Sequence, residues 1–192
     1  MSDHKRRFKR WHASQRSKTK YLVDLVLAEI VPGFEREGFQ WYADFAGGDI
    51  QQVANNCIPL QRRDGEFWPT AEIAFDKRGR PTCYLNFAVL PPNCKRWTKE
   101  GWLDVTQSEA ALVDGPAVYC ALGTSRLSRN GFGYRYFSLL PKRRLRKDIA
   151  DLAKLLPELL RVFDSGELEM KTDAPDSTSA FALLSVFPGK YG

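Results

Sequence analysis

Histidine is nearly missing from this chain. Of 192 residues only His4 and His12 are histidine. The rest of the chain therefore has no Ser-His, Cys-His or histidine-metal constellation. Catalysis would have to run on carboxylates, Lys, Tyr or Cys alone. Cysteine is scarce too, with Cys57, Cys83, Cys94 and Cys120 and no C-x-x-C pair. A zinc site would have to gather these four from four separate segments, whereas structural zinc sites usually bring ligands in close pairs. A chain of this length does not need disulfide staples. Reduced thiols in a cytoplasmic protein are expected, with no cofactor and no metal.

Long apolar runs are missing as well. None approaches the ~18 residues that span a bilayer, so no membrane partner is expected. Asp24 and Glu29 interrupt the run from Tyr21 to Val31, which argues against a secretory leader. The first 23 residues hold one acid, Asp3, among Arg, Lys and Ser. A transit peptide has a similar composition.

Charge is plentiful but unevenly placed. The net charge is +6, from 29 Lys and Arg against 23 Asp and Glu. His4 to Val23 holds eight cations and no acid, and Gly115 to Lys147 repeats that balance. Those stretches take 16 of the 29 cations, leaving 13 against 23 acids elsewhere, a balance of −10. The molecule is polarised rather than uniformly basic.

Residues 1–13 read as a basic arm that stays mobile unless something docks it, because Phe8 and Trp11 alone cannot bury enough to fold. Residues 14–192 read as a single domain. Ser14 is a candidate N-cap, and Leu22, Val26 and Ile30 with Val23 and Leu27 give the next helix an apolar side. Pro32-Gly33 disturbs that helix and Gly38 closes it.

The period then changes to two. Phe39, Trp41, Ala43 and Phe45 share a face, and Gly47-Gly48 signals a hairpin to a strand near Asp49–Asn55. Pro59 and Pro69 point to edges or loops. Ala71, Ile73 and Phe75, then Cys83, Leu85, Phe87 and Val89, alternate around the turn Lys77-Arg78-Gly79-Arg80. Lys95 to Asp114 reads as irregular or short-helical, pinned by Trp97 and Trp102.

A further hairpin is centred on Asn130-Gly131, with arms Ala117–Leu122 and Phe132–Leu140. Pro141 suits the first position of a helix. Leu145, Ile149, Leu152, Leu156, Leu159, Leu160 and Phe163 then mark one helical face. Pro157 should kink it by removing the bond to the Ala153 carbonyl. Ala180 to Phe187 is a short apolar element, strand or helix. Helix, hairpins and helix in that order predict an α+β fold: an antiparallel meander sheet with an N-terminal helix and a long C-terminal helix packed on one face.

Four stretches carry a resemblance. A helix leads into Ile30-Val31-Pro32-Gly33-Phe34-Glu35-Arg36-Glu37-Gly38-Phe39. A strand follows around Ile50-Gln51-Gln52-Val53. Then come Thr82-Cys83-Tyr84-Leu85-Asn86-Phe87-Ala88-Val89 and a Leu-rich helix ending at Phe163-Asp164. In pattern the chain resembles the bacterial family called domain of unknown function 4304. That resemblance implies no catalytic residue. Some relatives sit near toxin systems, which implies an immunity-like role. The basic clusters suit poorly the blocking of a basic nuclease toxin.

Three groups remain as candidate sites. Asp44, Asp49, Glu72 and Asp76 lie on or beside strands and could form a carboxylate pair; as solvated outer-face residues they need no function. Gly131, Phe132, Gly133, Tyr134 and Phe137 match the first ribonucleoprotein motif of RNA-recognition domains, but Asn130 and Arg135 depart from it, and hairpins precede it where such a domain needs strand, helix and strand. A hairpin turn and an aromatic strand account for the same residues.

The third group is Lys142, Arg143, Arg144, Arg146 and Lys147. They crowd the helix end where the dipole favours acids. Arg144–Asp148 and Lys147–Asp151 are i,i+4 pairs in the weaker, cation-first order. The cations are either solvated surface or an anion site, which Arg126, Arg129 and Arg135 would extend. The expectation is a non-enzymatic binding module whose partner is an acidic protein surface or a polyanion. The alternative is a nucleic-acid binder that stacks bases on Trp11, Tyr134 or Tyr136.

Overall fold

Two hydrophobic periods, one of each secondary-structure type, meet in one core. The computed structural model describes residues 3–41, 54–107, 110, 117–118, 120–122, 132–133, 141–161, 163 and 181–183. Along the chain run helices α1 (Asp3–Ser14) and α2 (Ser17–Leu25), a π-helical turn (Val26–Ile30) and α3 (Val31–Arg36). Strands β1 (Gln40–Trp41), β2 (Cys57–Gln61), β3 (Trp68–Phe75) and β4 (Thr82–Leu90) follow. Then come β5 (Cys94–Thr98), β6 (Gly101–Val105), β7 (Ala117–Val118), β8 (Cys120–Leu122) and β9 (Phe132–Gly133). Helix α4 (Pro141–Leu160) and strand β10 (Phe181–Leu183) complete the order.

The main sheet runs β1-β2-β3-β4-β7, with β9 also on β4, and its neighbours are antiparallel. The expected α+β meander is therefore present. Alternation decides its inner face. Ala71, Ile73 and Phe75 of β3 and Cys83, Leu85, Phe87 and Val89 of β4 are buried in one cluster with the helices. Leu22, Val23, Val26, Ile30 and Phe34 enter that cluster from the N-terminal helices, and Leu145, Ile149, Leu152, Leu156, Leu159 and Leu160 from α4. Each such side chain contributes about 1.5–3 kcal/mol by leaving water. Helix α4 continues through Pro157 to Leu160.

Aromatic rings lock the end of α4. Phe163 lies 5.6 Å from Phe39 and 5.4 Å, edge-on, from Phe87. Phe34 lies 5.4 Å from Phe39. At Gly33 a Cβ would stand 2.5 Å from Leu156 Cδ2, so glycine sets how closely α3 approaches α4. Pro32 is absorbed without a break. The Val31 N–H reaches back to the Val26 carbonyl, and that widened π turn delivers Pro32 to the start of α3, where its missing donor is harmless.

Several expectations change. The basic arm is docked: residues 3–14 form α1, with His4 and Phe8 buried. The Phe8 ring lies 5.6 Å from Trp41 and 6.2 Å from Phe75, and the sheet supplies the apolar partner an isolated arm lacks. Ser14 belongs to α1 and its hydroxyl donates to the Trp11 carbonyl at 2.7 Å, while Arg16 takes the N-cap of α2. Pro59 lies in β2, opposite Glu72 and one residue beyond the described pairing with β1. Pro69 is the second residue of β3.

The segment after Pro91-Pro92 is a hairpin, β5–β6, paired from Cys94↔Val105 to Thr98↔Gly101. Its charged strands hide the alternation, and Gly101 at φ 117° closes the turn. Trp102 is 68% exposed and stands opposite Trp97 across the hairpin.

The Asn130-Gly131 turn, residues 134–140 and the 42–53 hairpin lie outside the described residues. Phe132 and Gly133 do not pair with 117–122 there; they face Cys83 and Thr82 of β4. Val118 faces Phe87, so an unbroken register would set residue 122 opposite Cys83; Phe132 stands there instead. Strand β8, between these contacts in the sequence, pairs with β10, making Phe181–Leu183 a strand. An uncovered edge takes whichever strand can reach it, and local turn chemistry does not determine that choice.

Candidate anion-binding surface

The α4 cations are placed by the apolar stripe behind them. Leu145 and Ile149 are buried, which turns Lys142, Arg143, Arg144, Arg146 and Lys147 outward, and all five are exposed. No acid lies in the first turn of α4. Lys147 Nζ meets Asp151 Oδ2 at 2.5 Å, and that hydrogen bond is the main cause of an upward shift in the Lys147 pKa. Arg126, Arg129 and Arg135 lie outside the described residues.

Tertiary packing adds cations from elsewhere. Lys142 Nζ sits 5.4 Å from the centre of the Tyr21 ring, joining the start of α4 to α2. Arg16 and Lys18, both exposed, lie one turn back along α2. The buried Thr19 hydroxyl donates to the Gly79 carbonyl at 2.8 Å and ties α2 to the β3–β4 turn. Lys77, Arg78 and Arg80 project from that turn and are exposed. Gly79 is required there: its φ is +71°, and an added Cβ would stand 3.1 Å from Gln15 Oε1. Residues 14–19 and 77–81 enclose a cleft of about 630 Å³.

Asp76 organises this turn. Its carboxylate accepts the Arg78 N–H at 2.8 Å and the Arg80 guanidinium at 3.1 and 3.0 Å. Burial alone would raise its pKa, but those donors outweigh it and the net shift is downward. Asp76 is therefore engaged in fixing the turn. Glu72, its candidate companion, is half-buried on β3; Asp44 and Asp49 lie outside the described residues.

Two thiols are held protonated. Burial pushes Cys57 well above its ordinary pKa, with Glu72 adding to the shift, and burial pushes Cys83 up to about 12. A nucleophile needs the opposite shift. Cys94 is buried and donates to the Pro91 carbonyl at 3.2 Å. Among the described residues, no three His, Cys, Asp or Glu are grouped to hold a metal. His4 Nε2 lies 3.3 Å from the Ala54 carbonyl, and His12 Nε2 lies 3.2 Å from Asp24.

Trp11, a candidate for stacking, packs against the core. It is half-buried, 5.6 Å from Phe8 and 5.5 Å from Phe75. Sequence reasoning missed Arg16, Lys18, Lys77, Arg78 and Arg80 as companions of the α4 cluster. No local pattern links residues sixty or more positions apart; the only sequence signal was their charge. No family model, curated protein or solved structure matches this chain. Among the described residues, no helix is long and apolar enough to cross a membrane.

Proposed function

We propose that this chain is a non-enzymatic binding module whose partner is a polyanion or an acidic protein surface. The observation that carries this reading is the Lys142–Tyr21 contact, which sets the cations at the start of α4 beside those of α2. Gathering like charge costs stability unless a counter-charge arrives, and a partner anion supplies one. Asp76 fixing its turn and the protonated thiols Cys57 and Cys83 favour binding over catalysis. Arg126, Arg129 and Arg135 belong to the same proposed site. A tie to the family called domain of unknown function 4304, in an immunity-like or cytoplasmic role, is part of the proposal.

Retention on heparin and polyglutamate columns in a salt gradient tests it. The Arg143→Glu, Arg144→Glu, Arg146→Glu variant should elute at clearly lower salt than the natural chain. Unchanged retention on both columns would sink the reading.

A further inference from the structure

Resting on that reading, we propose that the partner is double-stranded nucleic acid, gripped by its phosphate backbone along a track from α4, past the α1–α2 corner, to the β3–β4 turn. Three observations select this partner.

The first is what the track contains. Arg16, Lys18, Lys77 and Arg78 join the α4 cations, all exposed. Protein–protein interfaces carry central aromatic or apolar anchors and are depleted in Lys. The exposed large apolar residues of the described chain, Trp102 and Leu103, lie on β5–β6 instead. Nucleic-acid interfaces are polar and strongly positive.

The second is the lack of a stacking platform among the described residues of the track. Single-strand binders lay bases on aromatic faces. Here Trp11 is packed on Phe75, and Tyr21 is half-buried and carries Lys142 over its ring. A duplex offers only its backbone and grooves, which matches the exposed cations of the described track. Among the described residues, Asp76 takes Arg80 and Asp151 takes Lys147, while Asp24 meets His12.

The third is reach and rigidity. At 1.5 Å per residue, with neighbouring helices 8–10 Å apart, the track is on the order of 25 Å long. A duplex carries a charge every ~1.7 Å of axis, so that length faces on the order of seven base pairs. The Thr19–Gly79 and Asp76 hydrogen bonds hold the far end in place before any partner arrives, which lowers the ordering cost of binding.

The test is a titration of the full chain against labelled duplex DNA and duplex RNA across a range of salt. Single strands of the same sequence, polyglutamate and phosphatidylserine vesicles serve as competitors. Duplex binding should weaken steeply with salt and show little sequence preference. Lys77→Gln with Arg78→Gln, exposed positions whose change should leave the melting temperature unmoved, should weaken duplex binding roughly tenfold and flatten the salt slope by about two. If that pair changes neither quantity while the α4 triple variant does, the track stops short of the turn and this inference fails alone. If single strands, polyglutamate or vesicles compete better than duplex, the partner class is overturned and the binding-module reading stands. If no polyanion binds in a salt-sensitive way, both fall. The DNA and RNA arms separate the two sources of the backbone.

Discussion

Helices α1 and α4 are both rich in cations, and they carry them in opposite ways. Helix α1 opens on Asp3, where the dipole favours an acid, and Asp3 meets Arg6 at 3.5 Å and Arg7 at 2.9 Å. Lys5 lies over the Trp41 ring at 5.1 Å. Helix α4 opens on five cations with no acid in its first turn. Asp151 meets Lys147, the last cation of the cluster. Local rules thus account for the charge on α1 but not for the charge on α4. The difference separates a basic helix that opens on a compensating acid from one whose exposed basic end opens with none in its first turn.

The largest expected effect tests the docking half of this comparison. Phe8→Ala should cost about 3–5 kcal/mol in denaturant unfolding, as for a large core aromatic. A loss below about 1 kcal/mol would return α1 to the status of a loose arm. Phe8 is 3% exposed and touches Trp41 and Phe75, which is why the larger figure is expected.

A middle-sized effect concerns the turn to which α2 is tied. Asp76→Asn should cost about 1–3 kcal/mol near neutral pH by weakening charged hydrogen bonds in the turn that receives Thr19. The folded-state pKa of Asp76 lies below its ordinary value of 3.8. Its contribution is therefore present above that value and lost as pH falls through the lower, folded-state pKa. Unfolding curves of the natural and Asn chains should converge in that acid range. A gap that persists there would show that charge is not the cause.

The smallest effect bears on the α4 half. Arg143→Glu should stabilise the fold by roughly 0.3–1 kcal/mol, because an acid replaces a cation in the first turn. It should at the same time weaken polyanion binding. Asp3→Lys on α1 should lower stability by a similar amount. Thermal melting reads both. If Arg143→Glu raises stability and leaves binding intact, the α4 cations are solvated surface and the contrast between the helices has no functional meaning.

Much of the scaffold was legible because period and burial are tied locally. Leu145 to Phe163 repeats at helical spacing, and six of those side chains with Phe163 enter the core. Ala71–Phe75 and Cys83–Val89 alternate, and they pair in register with Phe75 opposite Cys83. The β5–β6 hairpin was hidden because Lys95, Arg96, Lys99, Glu100 and Asp104 mask any alternation. The pairing of Phe132 escaped because Asn-Gly favours a local turn, whereas the β4 edge is a distant partner. The candidate site was half legible. The α4 cluster stands out as a breach of helix-dipole preference, but its companions at 16, 18, 77 and 78 breach nothing.

By itself the sequence determined the elements and the sign of the charge: hydrophobic period selects helix or strand, and composition sets the polarity. Only the tertiary structure decided that α1 is docked, that Trp11 faces the core and that Lys142 reaches Tyr21. Those outcomes depend on which apolar faces find one another across the chain, and no short-range pattern contains that choice.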